Sequence, residues 1–246
     1  MEGFDPGRSF GPAVAETYEA HRRGDEDAAA EFLAEVAAGG RALELAIGAG
    51  RLALPLAERG VAVDGIERST AMVDVLRRQP GGERIEVVIG DMTQATTGRR
   101  YELVYLAYNT IFNLLTADDQ VRCFEQAARH LVDDGAFVVE TAVPSAWIEP
   151  GRSEYVRAEA VELGAVGFDV ARYDPVTQLL SENHVRIDAD GVRFAPIVCR
   201  LVTPGELDLM ARLAGLELAE RYESWWRAPF GATSRAHVSV YRRPSS

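Results

Sequence analysis

Apolar positions change period several times along the chain, and the changes divide it. An apolar run from Ala42 to Ile47 meets a turn carrying Gly48 and Gly50, and helical spacing follows over Leu52 to Arg59. The unit then recurs. The run Val61 to Ile66 closes on Glu67, Ile85 to Ile89 leads into Gly90, Asp91 and Met92, and Glu102 to Ala107 leads into the loop Tyr108 to Asn113. Thr116, followed three residues on by Asp119, is an N-terminal capping pattern and predicts a helix to about Leu131, before a fifth apolar run up to Glu140. Strands alternating with helices predict a parallel sheet with helices on both faces. Upstream, two helical stretches are expected over Ala13 to Arg22 and Asp25 to Ala38, the second presenting Phe32, Leu33 and Val36 to the sheet.

The helical period disappears after Pro144. Short alternating runs take its place at Tyr155 to Arg157, Gly167 to Tyr173, Leu179 to Ile187 and Val192 to Leu201, with turn residues at Asp174, Pro175 and Asp188 to Gly191. This pattern predicts an antiparallel meander inserted between the fifth strand and the next helix. That helix opens at Thr203, Pro204 and Glu206, which supply N-cap, first-turn proline and N3 acid, continues through Leu207, Met210 and Ala214, and stops at Gly215. Two last strands are expected, from Leu216 to about Trp226 and from His237 to Tyr241. The organisation predicted is an N-terminal helical cap over 1–40, an α/β domain over 41–143 and 203–246, and an inserted antiparallel lid over 144–202.

Length and charge narrow the class. A chain of 246 residues that is 47% hydrophobic accommodates one α/β domain with an insertion. The 26 basic residues against 38 acidic ones give a net charge of −12, so nucleic acid and anionic membrane are disfavoured as partners. All 26 are arginine. The absence of lysine excludes Schiff-base and P-loop chemistry. Cys123 and Cys199 lack metal or redox spacing and are expected to be reduced packing residues. No run reaches membrane-spanning length and no apolar leader opens the chain, so a cytoplasmic protein is expected.

The strand ends carry the candidate chemistry. Gly48 and Gly50 have no Cβ, so a ligand can lie against the backbone and the next helix can start close by. Glu67 stands 19 residues after Gly48, where a nucleotide-binding α/β unit places the carboxylate that holds ribose hydroxyls. Asp91 can accept from an adenine amine, with Met92 beside the ring. In these pieces, together with Gly65 to Met72 and the segment Leu131 to Glu140, the chain resembles the class I S-adenosylmethionine-dependent methyltransferases over about residues 41 to 141. The resemblance implies S-adenosylmethionine as methyl donor and S-adenosylhomocysteine as product. It also implies donor contacts from Tyr18, Glu44, Ala46, Gly48, Gly50, Glu67, Arg68, Met72, Asp91, Met92 and Ala107. The sequence departs from the family at Ala46, where glycine is usual. The nicotinamide-type fingerprint Gly-x-Gly-x-x-Gly is absent, since Arg51, Leu52 and Ala53 follow Gly50. The resemblance further implies that residues 144 to 202 cover the methyl donor, bind the acceptor and can join two subunits.

Methyl transfer from a sulfonium is an in-line displacement, helped mainly by positioning and exclusion of water, and a base is needed only when the nucleophile must lose a proton. His184, on a lid strand, is the first candidate to touch the acceptor, and His21, near Tyr18, the second. His130 is expected as a favourable charge at a helix C-terminus and His237 as a structural residue. Tyr108 and Asn109 stand on the rim where α/β sheets bind ligands, Asn109 having as its plainer role an Asx turn. Glu140 can orient an acceptor or pair with an arginine. Trp147, Tyr155, Trp225 and Trp226 suit either a pocket or the core. No acid cluster follows the fourth and fifth strands, so no metal is expected. The expected function is methyl transfer to an oxygen or nitrogen of a small acceptor in bacterial specialised metabolism. The alternatives are a donor-assisted cyclisation, decarboxylation or hydroxylation, or a non-catalytic binding protein.

Overall fold

The computed structural model describes Phe4 and residues 23–244. The helix expected over Ala13 to Arg22, with Tyr18 and His21, lies outside the described residues. The cofactor half runs α1 (Glu26–Ala37), β1 (Arg41–Leu45), α2 (Ala53–Glu58), β2 (Ala62–Glu67), α3 (Thr70–Arg78), β3 (Glu86–Ile89), β4 (Tyr101–Leu106), α4 (Ala117–His130) and β5 (Leu131–Ala142). Four strands follow, β6 (Glu154–Glu162), β7 (Ala165–Asp174), β8 (Leu179–Asp188) and β9 (Gly191–Arg200). The chain then returns through α5 (Pro204–Leu213), β10 (Glu217–Tyr222) and β11 (Ala236–Arg242).

The large sheet has the order β10-β11-β5-β4-β1-β2-β3. Strands β1 to β5 pair in parallel, while β11 runs antiparallel to β5 and β10. Strand order reverses between β1 and β4, and a crevice opens there at the carboxyl ends. Side-chain alternation explains why helices cover both faces. Leu43, Val104, Phe137 and Tyr241 pack with Phe124 and Ala127 of α4 and Leu207 and Met210 of α5. Ala42, Leu103, Val138 and Val240 face the other way, onto Phe32 and Leu33 of α1 and Leu56 of α2. The capping residues act as their sequence pattern predicts. Thr116 Oγ1 accepts from the Asp119 N–H at 3.1 Å, and Thr203 and Glu206 form a reciprocal capping box.

Two details differ from the sequence reading. His130 is not a charge at a helix end: its ring is buried, takes the Thr97 N–H at Nε2 (3.3 Å), and burial lowers its pKa. Strand β10 stops at Tyr222 instead of running toward Trp226, because Trp225 turns back to pack edge-on against Phe32, 5.6 Å between ring centroids.

The meander β6-β7-β8-β9 is a separate four-stranded antiparallel sheet. Its register puts Arg157, Asp169, His184 and Ala195 side by side across the four strands, and Tyr155, Ala171, Glu182 and Ile197 in the next row of the same face. The alternate positions, among them Val156, Val170, Ile187 and Phe194, point to the opposite face.

Candidate active site

Glu67 fixes the rim of the crevice. One carboxylate oxygen accepts from the Gly48 N–H at 2.9 Å and the other from the Ser69 N–H at 2.7 Å. The acid therefore ties the loop after β1 to the start of α3 while still presenting lone pairs to the cleft. Ser69 completes the corner by capping α3, its Oγ accepting from Met72 N–H.

Opposite this rim lies the lid, and a cavity of about 380 Å³ separates them. Ala46, Gly48, Glu67 and Met72 form the floor, Tyr108, Asn109, Thr110 and Asn113 one side, and Arg157, Asp169, Glu182 and His184 the lid wall. A smaller lobe of about 110 Å³ continues from Ala46 and Glu67 to Arg68, Asp91 and Met92. Asp91 Oδ1 there accepts from the Thr93 N–H and hydroxyl at 2.8 and 2.7 Å. The cavity and its lobe share Ala46 and Glu67, so their floor carries acids at Glu67 and Asp91 and thioethers at Met72 and Met92.

Several sequence candidates lie away from this slot. Gly50 has φ +84, and a Cβ there would stand 2.4 Å from Leu76 Cδ1, so this glycine serves the close approach of α3. Glu44 is buried beneath the loop, where it accepts from the Tyr105 hydroxyl at 2.9 Å, and desolvation pushes its pKa up to about 8. Ala107 belongs to the core on the α1 side of the sheet. Of the aromatics, Trp147 lines the cavity, Tyr155 and Trp225 are buried, and Trp226 is 66% exposed.

Tyr108 and Asn109 both adopt left-handed backbone, φ +53 and +59. Such a pair persists only when its surroundings hold it. Glu140 does so, its Oε2 accepting from Tyr108 N–H (2.8 Å) and its carbonyl from Asn109 N–H (3.2 Å), while Asn109 Oδ1 takes the Ala142 N–H at 2.5 Å. Arg23 stacks 3.5 Å above the Tyr108 ring and, with Arg51, approaches Glu140. Glu140 thus pairs with arginines and braces the loop.

The lid contributes residues that spacing alone does not reveal. His184 Nδ1 lies 2.5 Å from Asp169 Oδ1, and Glu182 Oε2 is 4.0 Å from His184 Nε2. The ligand atoms of these three groups fall within 4.8 Å of one another, a separation that a cation can bridge, and the Arg157 guanidinium stands 3.4 Å from Asp169 and 3.7 Å from Glu182. Asp169, Glu182 and Arg157 line the cavity and were not among the candidates read from the sequence. The available signal was the alternation of β7 and β8, which sets Asp169 directly across from His184.

Comparison with known proteins agrees with the fold. Residues 42–135 match the methyltransferase domain family. The CcbJ methyltransferase from Streptomyces caelestis is 38% identical and superposes with a TM-score of 0.91 over 98% of this chain and 100% of that one. The cypemycin N-terminal methyltransferase of a Streptomyces species is 27% identical over 82% of each chain. A dTDP-3-amino-3,6-dideoxy-α-D-glucopyranose N,N-dimethyltransferase of Streptomyces fradiae is 31% identical over 50% of this chain and 46% of that one. The chain belongs to the class I S-adenosylmethionine-dependent methyltransferases, of the kind found in bacterial natural-product pathways. Its methyl donor is S-adenosylmethionine.

Ala46 carries the site's departure from the family pattern, and the structure gives it a physical cost. With φ +53 it sits in left-handed backbone, which disfavours any Cβ. Replacing Ala46 by Gly should stabilise the protein by about 1 kcal/mol in urea unfolding. Donor affinity, read by calorimetry, should be at least as high as in the parent, and loss of binding would contradict the placement of this loop.

Proposed function

We propose that the enzyme methylates a nitrogen or oxygen of a small-molecule acceptor held between the donor slot and the lid, residues 144–202. One observation carries this reading: the His184–Asp169 pair faces the cavity opposite Ala46, Gly48 and Glu67. Asp169 is an acceptor, so the imidazole donates from Nδ1 and keeps its Nε2 lone pair for a proton. The donor's ribose is assigned to Glu67 and its adenine to the lobe beside Asp91 and Met92. Both named relatives among the curated proteins are N-methyltransferases, which favours nitrogen. The acidic surface, −12 overall, supports a small molecule over nucleic acid or an anionic membrane. Among the described residues no helix is long and apolar enough to cross a membrane. Cys123 and Cys199 are buried thiols whose pKa burial pushes up to about 12, which suits a reducing cytoplasm.

With the true acceptor, His184→Ala should lower turnover at saturating donor by roughly 10²–10⁴-fold, the usual range for a general base, and leave donor affinity unchanged. Normal turnover in this variant would reject the role.

The outer face of the lid supports a homodimer. Val156, Val161, Val170, Val192 and Phe194 are exposed there, with Val185 buried among them. Four strands of about ten residues give a face of roughly 600 Å². Two such faces approach the lower end of a standard interface, about 1,200 Å². The face has little net charge, since Glu154 and Arg172 pair at 2.7 Å. Two acidic molecules can therefore meet there without strong repulsion. Light scattering should give twice the mass of one chain, and Val170→Glu combined with Phe194→Glu should give a folded monomer. A monomeric parent would overturn the assignment.

A further inference from the structure

The lid wall of the cleft is more acidic than a general base requires. Glu159, Asp169 and Glu182 all line it, against the single guanidinium of Arg157 and the imidazole of His184. Arg157 is already shared, with Glu159 at 3.0 Å, Asp169 at 3.4 Å and Glu182 at 3.7 Å. Asp169 is committed to His184. Glu182 is different: it is 95% buried, and its Oε1, 3.7 Å from the Arg157 guanidinium, is beyond hydrogen-bond reach of any donor. A buried carboxylate oxygen left unmet is costly, and an arriving N–H⁺ removes that cost. Burial and the neighbouring Asp169 charge both raise the pKa of Glu182, as expected of a carboxylate awaiting a cation.

We propose that Glu182, backed by Asp169, is a cation-selecting subsite and that the acceptor is an amine which enters as its ammonium form. This deepens the reading that the cleft binds the acceptor, and rests on it. The ammonium donates one N–H to Glu182 and transfers another proton to Nε2 of His184, whose resulting imidazolium is stabilised by Asp169 and Glu182. The freed nitrogen lone pair attacks the sulfonium methyl carbon, and the carbon–sulfur bond breaks with its electron pair going to sulfur. The products are the methylated ammonium and a neutral thioether, and the proton on His184 leaves through the half-exposed side of the ring. A neutral hydroxyl acceptor would leave Glu182 with only its share of the Arg157 charge, which Glu159 and Asp169 also draw on, so the subsite selects for amines by charge as well as by hydrogen bonding.

The test uses benzylamine and its near-isostere benzyl alcohol as probes on the full chain saturated with S-adenosylhomocysteine, with binding followed by NMR at the Trp147 indole, which lines the same cavity. Benzylamine should bind about tenfold or more tightly than benzyl alcohol. Glu182→Gln should abolish that preference, leaving benzyl alcohol and S-adenosylhomocysteine affinities unchanged. Should this variant fail to fold, the preference in the parent protein is decisive by itself. Equal binding of the two probes at Trp147 would overturn the cation subsite while leaving the cleft as the acceptor site. Failure of both probes to perturb Trp147 would overturn the subsite together with the acceptor-site reading.

Discussion

The site depends on the carboxylate of Glu67. By accepting the Gly48 and Ser69 N–H groups it locks the loop after β1 against the corner after β2. Hydrogen bonds to a charged group contribute about 1.5–3 kcal/mol each, and here they hold two strand ends in one geometry before any ligand arrives. The left-handed turn at Ala46 and Gly48 follows from that restraint, as does the placement of Met72 under the cavity. A slot held in this way is preorganised for a ligand rather than ordered by it.

A second constraint is the two-residue period of the lid. Each of its strands has one face toward the donor slot and one toward solvent, and the two faces differ in chemistry. Arg157, Asp169, Glu182 and His184 are turned inward, while valines and Phe194 are turned outward. A slip of one residue in the pairing of β7 with β8 would exchange them, emptying the cleft of charge. The polar inner face is thus tied to the apolar outer one, and covering the outer face with a second subunit would also hold the register of the polar wall.

Much of this was legible in the chain. Glu67, Asp91 and Met92 were readable because parallel strands put their last residues on one rim, so position in the repeat fixes position in space. The meander was readable from alternation and turn residues, and His184 from its place on it. Asp169 and Glu182 were not, because an acid on a strand is unremarkable until the register shows which histidine it opposes. Glu44 and Gly50 sit in the same short motif as Gly48 but meet Tyr105 and Leu76 instead of the cavity, since a tight loop turns successive residues to different sides. Ala107, the last residue of the β4 run, packs in the core, and the residues that follow it form the rim. The bracing of Tyr108 and Asn109 by Glu140, 32 residues on, is tertiary information and left no local trace.

The most direct test of the account is a crystal structure with S-adenosylhomocysteine bound. Both ribose hydroxyls should lie on the Glu67 carboxylate, adenine in the lobe beside Asp91 and Met92, and the thioether sulfur should face the His184–Asp169 wall across the cavity. A ribose held elsewhere, or a sulfur turned away from the lid so that His184 faces no reacting atom, would contradict it.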